Sequence, residues 1–307
     1  MKISIIGTNG MLSVALTKYF YSNKDAQVDV YGLDVPKGYE CSVFYAIDLL
    51  KDTLPFENLI ESDIIFYASG AGVQAALQTD PTLIYNLNVS VPIEISIQLK
   101  KRGYRGIWVS FGSYMEIGVN KEEEKSFTEE EIVCSFLPVT NDYALSKRLY
   151  TRYINDFKAD FIFYHFILPN MFSEDDLKPG TRLVPYTLQY LQDYIADKNP
   201  QTPRFSSGFQ TRQFITLEEM IQTVDRTIGN KVSSGIYNIG GGEFLSIRNL
   251  IERLFDIYKV PCKPEYFGNE IRRDNEIKSL CINGNKLKSL IFSLPEAKIE
   301  EIFKPKL

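Results

Sequence analysis

The first half of the chain alternates short runs of apolar, β-branched and aromatic residues with stretches whose apolar positions recur at helical spacing. Continuous apolar runs bounded by turn residues are the pattern of strands buried on both faces, and helices between them supply the crossovers a parallel sheet needs. Strands are predicted over Lys2–Ile6, Val28–Leu33, Val43–Ile47, Ile64–Ala68, Gly106–Ser110 and Phe161–Leu168. Between the first two, Leu12, Ala15, Leu16, Tyr19 and Phe20 share one helical face, which makes a βαβ unit. A longer helix is predicted over Pro81–Lys101, with Ile84, Leu87, Val91, Ile95 and Leu99 on one side. Pro92 should kink it or mark a boundary, because proline has no N–H and crowds the preceding turn.

After Leu168 the alternation stops. Proline, glycine and aspartate gather in PNMFSEDDLKPGTR, where a second lobe is predicted to begin. Further on, GIYNIGG reads as a strand near 235–240 that returns to the main sheet, followed by a final helix over Ile247–Tyr258. The division expected is therefore 1–168 and 169–307, with the two parts interleaved.

Composition narrows the chemistry. The chain has 307 residues, 44% hydrophobic and 24% charged, which is ordinary for a folded protein and large enough for a main domain with a smaller lobe. Its formal net charge of -5 and the absence of a dense basic run give no attraction to polyanions, so no nucleic acid partner is expected. Cys41, Cys134, Cys262 and Cys281 have no paired spacing, so they read as reduced thiols and not as a metal cage. No metal site is expected. MKISIIGTNG reaches glycine too soon for a signal sequence and no later run has membrane length, so a cytoplasmic protein without membrane attachment is expected. The single histidine, His165, lies in the apolar run DFIFYHFIL and reads as a core residue, which argues against hydrolytic triads and multi-histidine metal sites.

GTNGMLS sets Gly7 and Gly10 at the junction of the first strand and helix, where a tight turn and close approach of a pyrophosphate both favour residues without Cβ atoms. The open N–H groups of the following helix attract phosphate. Asp34 ends the second strand, where a carboxylate can accept from both ribose hydroxyls of an adenosine and repel a 2′-phosphate. The fold class predicted is α/β, a Rossmann doubly wound parallel sheet with a smaller α/β C-terminal lobe for substrate.

YALSK puts Tyr143 and Lys147 on one helical face, where an ammonium beside a phenol should depress its pKa enough for acid–base work near neutral pH. YIADK repeats the spacing with Tyr194 and Lys198, so position decides. Tyr143 opens the helix between the fifth and sixth strands, whereas Tyr194 falls in the second lobe. Ser113, just beyond the fifth strand, is placed to polarise a carbonyl oxygen, with Ser110 its nearest rival.

Taken in order, GTNGMLS, Asp34, IDLL, YASGAGV, LNV, Ser113, YALSK, PNMF, QTRQFI and YNIGGG resemble the extended short-chain dehydrogenase/reductases, in particular the nucleotide-sugar epimerase/dehydratase/reductase family, over almost the whole chain. The resemblance implies NAD(H) as cofactor, with NADP(H) the alternative, and a nucleotide-diphosphate sugar as substrate. It implies cofactor contacts from Gly7, Asn9, Gly10, Met11, Leu12, Asp34, Asp48, Leu49, Tyr67, Ala68, Ser69, Asn88 and Lys147. Ser113, Tyr143 and Lys147 would be catalytic, and Ser113, Asn170, Arg212, Arg272 and Arg273 would hold substrate. Guanidinium groups suit that last task, since they pair with phosphate oxygens bidentately.

There are departures. Ser13 replaces the third glycine of the turn, which should widen helix-to-strand packing slightly. Ile167 stands where the family often has arginine. Where dehydratases of the family carry Thr-Asp-Glu, this chain has Ser113, Tyr114 and Met115, with Glu116 one place late. The reading expected is a C4-ketoreductase of a 4-keto-6-deoxy sugar, with a C4-epimerase as alternative and a non-catalytic dinucleotide sensor as a remote one. By the same resemblance the helices over Pro81–Lys101 and Tyr143–Phe157 would form a homodimer interface, with Leu145, Leu149 and Tyr153 as an apolar stripe.

Overall fold

The computed structural model describes all residues except 24–25, 74–77, 179, 181, 271–275, 292–297 and 305–307. Its strands are β1 (Lys2–Ile6), β2 (Gln27–Gly32), β3 (Val43–Ala46), β4 (Ile64–Tyr67), β5 (Ile107–Ser113), β6 (Ile162–Leu168), β7 (Asn170–Phe172), β8 (Thr211–Thr216), β9 (Gly235–Asn238), β10 (Glu243–Ser246) and β11 (Ser279–Leu280). The helices are α1 (Met11–Asn23), α2 (Phe56–Leu59), α3 (Pro81–Tyr85), α4 (Val91–Lys101), α5 (Glu129–Val133), α6 (Asp142–Asp156), α7 (Leu183–Ile195), α8 (Leu217–Gly229), α9 (Ile247–Ile257), α10 (Asn285–Lys288) and α11 (Ile299–Ile302). Seven strands form one sheet in the order β3-β2-β1-β4-β5-β6-β9, every neighbouring pair parallel. This is the doubly wound Rossmann order.

The sheet is apolar on both faces because both are covered. Ile3, Ile5, Val28 and Val30 pack with Leu16 and Phe20 of α1 and Met220 and Val224 of α8. On the other side Ile6, Ile65, Tyr67 and Trp108 meet Ile95 and Leu99 of α4. Full burial of one such side chain is worth about 1.5–3 kcal/mol, which accounts for the short apolar runs. β9 joins the sheet beside β6, Ile236 opposite His165, so the chain returns from the second lobe as its sequence suggests. In that lobe β8 pairs with β10 antiparallel and with β7 and β11 parallel, over a core that includes Phe172, Leu188, Phe205, Phe214, Leu254 and Phe255.

Two details differ from the sequence expectation, and a third agrees with it. β5 runs on to Ser113, because Phe111, Gly112 and Ser113 extend the ladder to Phe166, Ile167 and Leu168. The helix over Ile247–Ile257 is not the last, since α10 and α11 follow it. Pro92 marks a boundary, as expected, since it stands in the first turn of α4. Residues Asn86–Ser90 form a π-helical turn, and the Val91 N–H reaches back to the Asn86 carbonyl. That widening accommodates the proline ring, which would otherwise crowd the carbonyl one turn earlier. No helix among the described residues is long and apolar enough to cross a membrane.

Candidate active site

The candidate chemistry collects at the carboxyl edge of the main sheet. β5 ends at Ser113, whose N–H donates to Glu116 Oε1 (2.8 Å) and whose Oγ accepts from the Met115 N–H (3.3 Å), closing a 3-10 turn over Tyr114–Ile117. Asn141 caps α6 by accepting from the Ala144 N–H (2.8 Å), so Tyr143 stands in the first turn and Lys147 one turn later. The Ser113 side chain lies beside the Tyr143 phenol. Lys147 Nζ lies 5.8 Å from the Tyr143 ring centre and donates to the Phe111 carbonyl (2.9 Å). Ser113, Tyr143 and Lys147 therefore form one cluster.

The rivals lie elsewhere. Ser110 is fully buried, its Oγ 2.9 Å from His165 Nδ1. Tyr194 sits on α7 and is 48% exposed. His165 is fully buried, with its Nε2 2.9 Å from Thr151 Oγ1.

Electrostatics correct one expectation. The Tyr143 phenol is not depressed but pushed up to about 12, first by burial, with the Glu116 carboxyl adding to the rise and the Ser113 hydrogen bond opposing it. The same burial lowers Lys147 to about 8 and raises Glu116 to about 7. Burial strips the phenolate of its hydration, and that loss dominates at Tyr143. His165 is held down to about 3 by burial, with Lys147 acting in the same direction.

The glycine turn fits a dinucleotide. Gly7 has φ +128, and a Cβ there would lie 3.0 Å from the Ala68 carbonyl carbon and oxygen and from Ser69 N, so the turn sits directly on the end of β4. Asn9 and Gly10 are exposed ahead of α1, whose first N–H groups have no carbonyl partner within the helix. Ser13 lies buried in the first turn of α1. Its buried hydroxyl donates back to the Thr8 and Gly10 carbonyls (2.9 Å each) and so holds the turn closed. Asn9 ties that turn to the loop after β2, donating to the Val35 carbonyl (3.1 Å) and accepting from the Lys37 N–H (3.0 Å). Asp34, in the same loop, is exposed.

The profile of the NAD dependent epimerase/dehydratase family matches residues 3–240. The chain belongs to that family. No curated protein sequence matches it. Among solved structures it is similar to the dTDP-glucose 4,6-dehydratase of Bacillus anthracis in complex with NAD (14% identity, 99% of this chain and 94% of that one, TM-score 0.77). It is likewise similar to the UDP-glucose 4-epimerase of Thermotoga maritima with UDP-glucose (16% identity, 99% and 96%, TM-score 0.77). A third is RMD of Pseudomonas aeruginosa complexed with NADPH (18% identity, 99% and 97%, TM-score 0.73). At these identities the likeness is one of fold.

For a family member, several residues singled out by resemblance are already engaged within the protein. Asp48 receives the Leu50 N–H (3.0 Å) and pairs with Lys51 (2.9 Å), which holds its carboxyl below the usual range. Leu49 beside it is half-buried against the Ile65 and Trp108 core. Tyr67 is buried in that core and its hydroxyl donates to the Leu87 carbonyl, while Ser69 Oγ donates to the Ile6 carbonyl (3.2 Å). Asn88 is buried, with Nδ2 2.9 Å from both the Ala71 carbonyl and Ser146 Oγ and Oδ1 accepting from the Ala71 N–H (3.0 Å). Arg212 is 3% exposed and donates to the Thr211 and Ile277 carbonyls. Asn170, half-buried, opens β7 opposite Phe214. Arg272 and Arg273 lie outside the described residues. Ile167 is a fully buried core residue, and no metal-binding cluster is found among the described residues.

Sequence reasoning missed the burial of Glu116. It is fully buried, and a Cβ at Gly112 would lie 2.6 Å from its Oε1 and 2.8 Å from His165 Nε2. The one available signal was an acid displaced by one place, three residues after Ser113.

Proposed function

We propose that the protein is an NAD(P)H-dependent C4-ketoreductase of a nucleotide-linked 4-keto-6-deoxyhexose. Family membership and the Ser113–Tyr143–Lys147 cluster support hydride chemistry, and the neighbours that act on dTDP-glucose or hold UDP-glucose support a nucleotide-sugar substrate. The observation that carries the reductase reading is the turn after β5. Tyr114 is buried, Met115 has no acid, and the Glu116 carboxyl faces inward on the Ser113 N–H, so the turn supplies no acid pair for moving water across a sugar. Tyr143 is left as the acid.

When bound, the dihydronicotinamide supplies the hydride for the carbonyl carbon. Ser113 hydrogen-bonds the ketone oxygen and Tyr143 gives that oxygen its proton, completing the alcohol. Lys147 holds the ribose and offsets the phenolate, which regains a proton from water. Arg212, with Arg272 or Arg273, is assigned to the diphosphate. Cofactor binding is assigned to the Gly7–Leu12 turn, with Asp34 at the adenosine ribose. The enzyme is expected to act in the cytoplasm as a homodimer through α4 and α6, where Leu149 is 42% exposed; light scattering that finds only monomer at micromolar concentration removes the dimer.

A panel of 4-keto-6-deoxy nucleotide sugars tests the reading. Reduced cofactor should disappear one for one with ketone, and freshly purified protein should carry little bound NAD. Copurified NAD in stoichiometric amount, with interconversion of two 4-hydroxy sugars and no added cofactor, establishes the epimerase instead.

A further inference from the structure

Resting on the reading of Tyr143 as proton donor, we propose that Glu116 is a positioning residue for that proton: its buried carboxyl, held behind Ser113 and beside Lys147, opposes the phenolate and keeps Tyr143 protonated. The placement is built. Glu116 is 0% exposed, its Oε1 takes the Ser113 N–H at 2.8 Å, and the Ser113 side chain lies beside the Tyr143 phenol. Gly112 makes the room, since a Cβ there would collide with Oε1 at 2.6 Å. Glu116 Oε2 is buried without a hydrogen-bond partner among the described residues.

The groups that face Glu116 are few. From α6 come Lys147, Arg148 and Tyr143, and from β6 His165. Arg148 is buried and spends its guanidinium on the carbonyls of Glu116, Ile117 and Leu137. Glu129 of α5 is committed to the Asn238 N–H, and Lys278 beside β11 to Glu123. His165 is neutral at working pH, because burial holds it at about 3. Two cations thus face two acids. Lys147 loses its proton near 8, so where Tyr143 titrates the ionised Glu116 and a phenolate at Tyr143 would be two anions in a site of low polarity, and like charges at close range raise each other's pKa. The carboxyl ionises near neutral pH, so its hold on the Tyr143 proton strengthens as solution turns alkaline, where that proton would otherwise be lost.

The test reads Tyr143 directly. Tyrosinate absorbance is titrated in the full-length protein, with Tyr143→Phe as the subtraction, in the wild type and in Glu116→Gln. The Tyr143 midpoint should fall by about one pH unit or more in the variant. A merely structural role for Glu116 would leave that midpoint in place; the alkaline limb of ketone reduction follows Lys147 first, since burial brings its ammonium down to about 8. An unchanged midpoint overturns the proposal. Absence of any ketone reduction would instead remove the reductase reading and leave the titration to decide on Glu116. If Glu116→Gln does not fold, Glu116→Val serves in its place.

Discussion

Asn88 Nδ2 lies 2.9 Å from Ser146 Oγ, which joins the π-helical turn before Pro92 to the helix that carries Tyr143 and Lys147. The same amide clasps Ala71 through both its N–H and its carbonyl. A residue expected to contact cofactor is thus also a brace between two loops of the sheet edge and α6. Removing it leaves several buried polar groups without partners, at about 1–3 kcal/mol for each unsatisfied one. Asn88→Ala should therefore lower stability by about 2 kcal/mol or more in urea denaturation and reduce turnover together. Full stability in that variant would show that the brace is dispensable.

Tyr143→Phe removes one hydroxyl. Turnover should fall by two orders of magnitude or more, on the order of what a positioned general acid contributes, while dinucleotide binding measured by fluorescence stays close to wild type. Tyr194→Phe is the control. Its ring is 48% exposed on α7 and away from the cluster, so its effect should be within assay error. Near-normal turnover in Tyr143→Phe would assign the acid elsewhere.

Asp34 is exposed in the loop that Asn9 ties to the glycine turn. A carboxylate there repels the 2′-phosphate of NADPH, so NADH should have the higher kcat/KM. Lys37 in the same loop is the one nearby cation in sequence that could reverse this. A higher kcat/KM with NADPH rejects the assignment, and Lys37→Ala should then be the variant that loses it.

The main sheet was legible because burial on both faces imposes continuous apolar runs, and each of its strands appears within a few residues of its predicted span. Tyr143 was separable from Tyr194 by position in the βα order alone, although helical spacing is the same for both. The π-helical turn was not legible, because a proline in a helical pattern marks a boundary without showing its form, and the form here goes with the tertiary clasp of Asn88. Glu116 was visible as a displaced acid, but its burial depends on the space that Gly112 leaves between two strands and on Arg148 from α6. Such relationships join residues far apart in the chain and leave no periodic trace. The direction of the Tyr143 shift failed for the same reason, since spacing shows a neighbouring ammonium but not the burial that outweighs it.

Glu116 and His165 also make a stability prediction. His165 is depressed from 6.5 to about 3, so the folded state excludes a proton that the unfolded chain binds; this contribution is present above 6.5 and lost as pH falls toward 3. Glu116 is raised from 4.5 to about 7, so the folded state retains a proton that the unfolded chain releases; its contribution is present below 4.5 and lost as pH rises through 7. Between about 4.5 and 6.5 the two slopes have opposite signs and nearly equal size, about 1.4 kcal/mol per pH unit each, so the pair contributes almost no net slope. Single substitutions should unmask them. Relative to wild type, unfolding free energy from urea titrations should drop on acidification across that window in Glu116→Gln and climb in His165→Gln, each by about 2 kcal/mol. Every other titrating group is common to the three proteins and cancels in the comparison. Three parallel pH dependences would mean that neither group is perturbed by folding in the direction its burial requires.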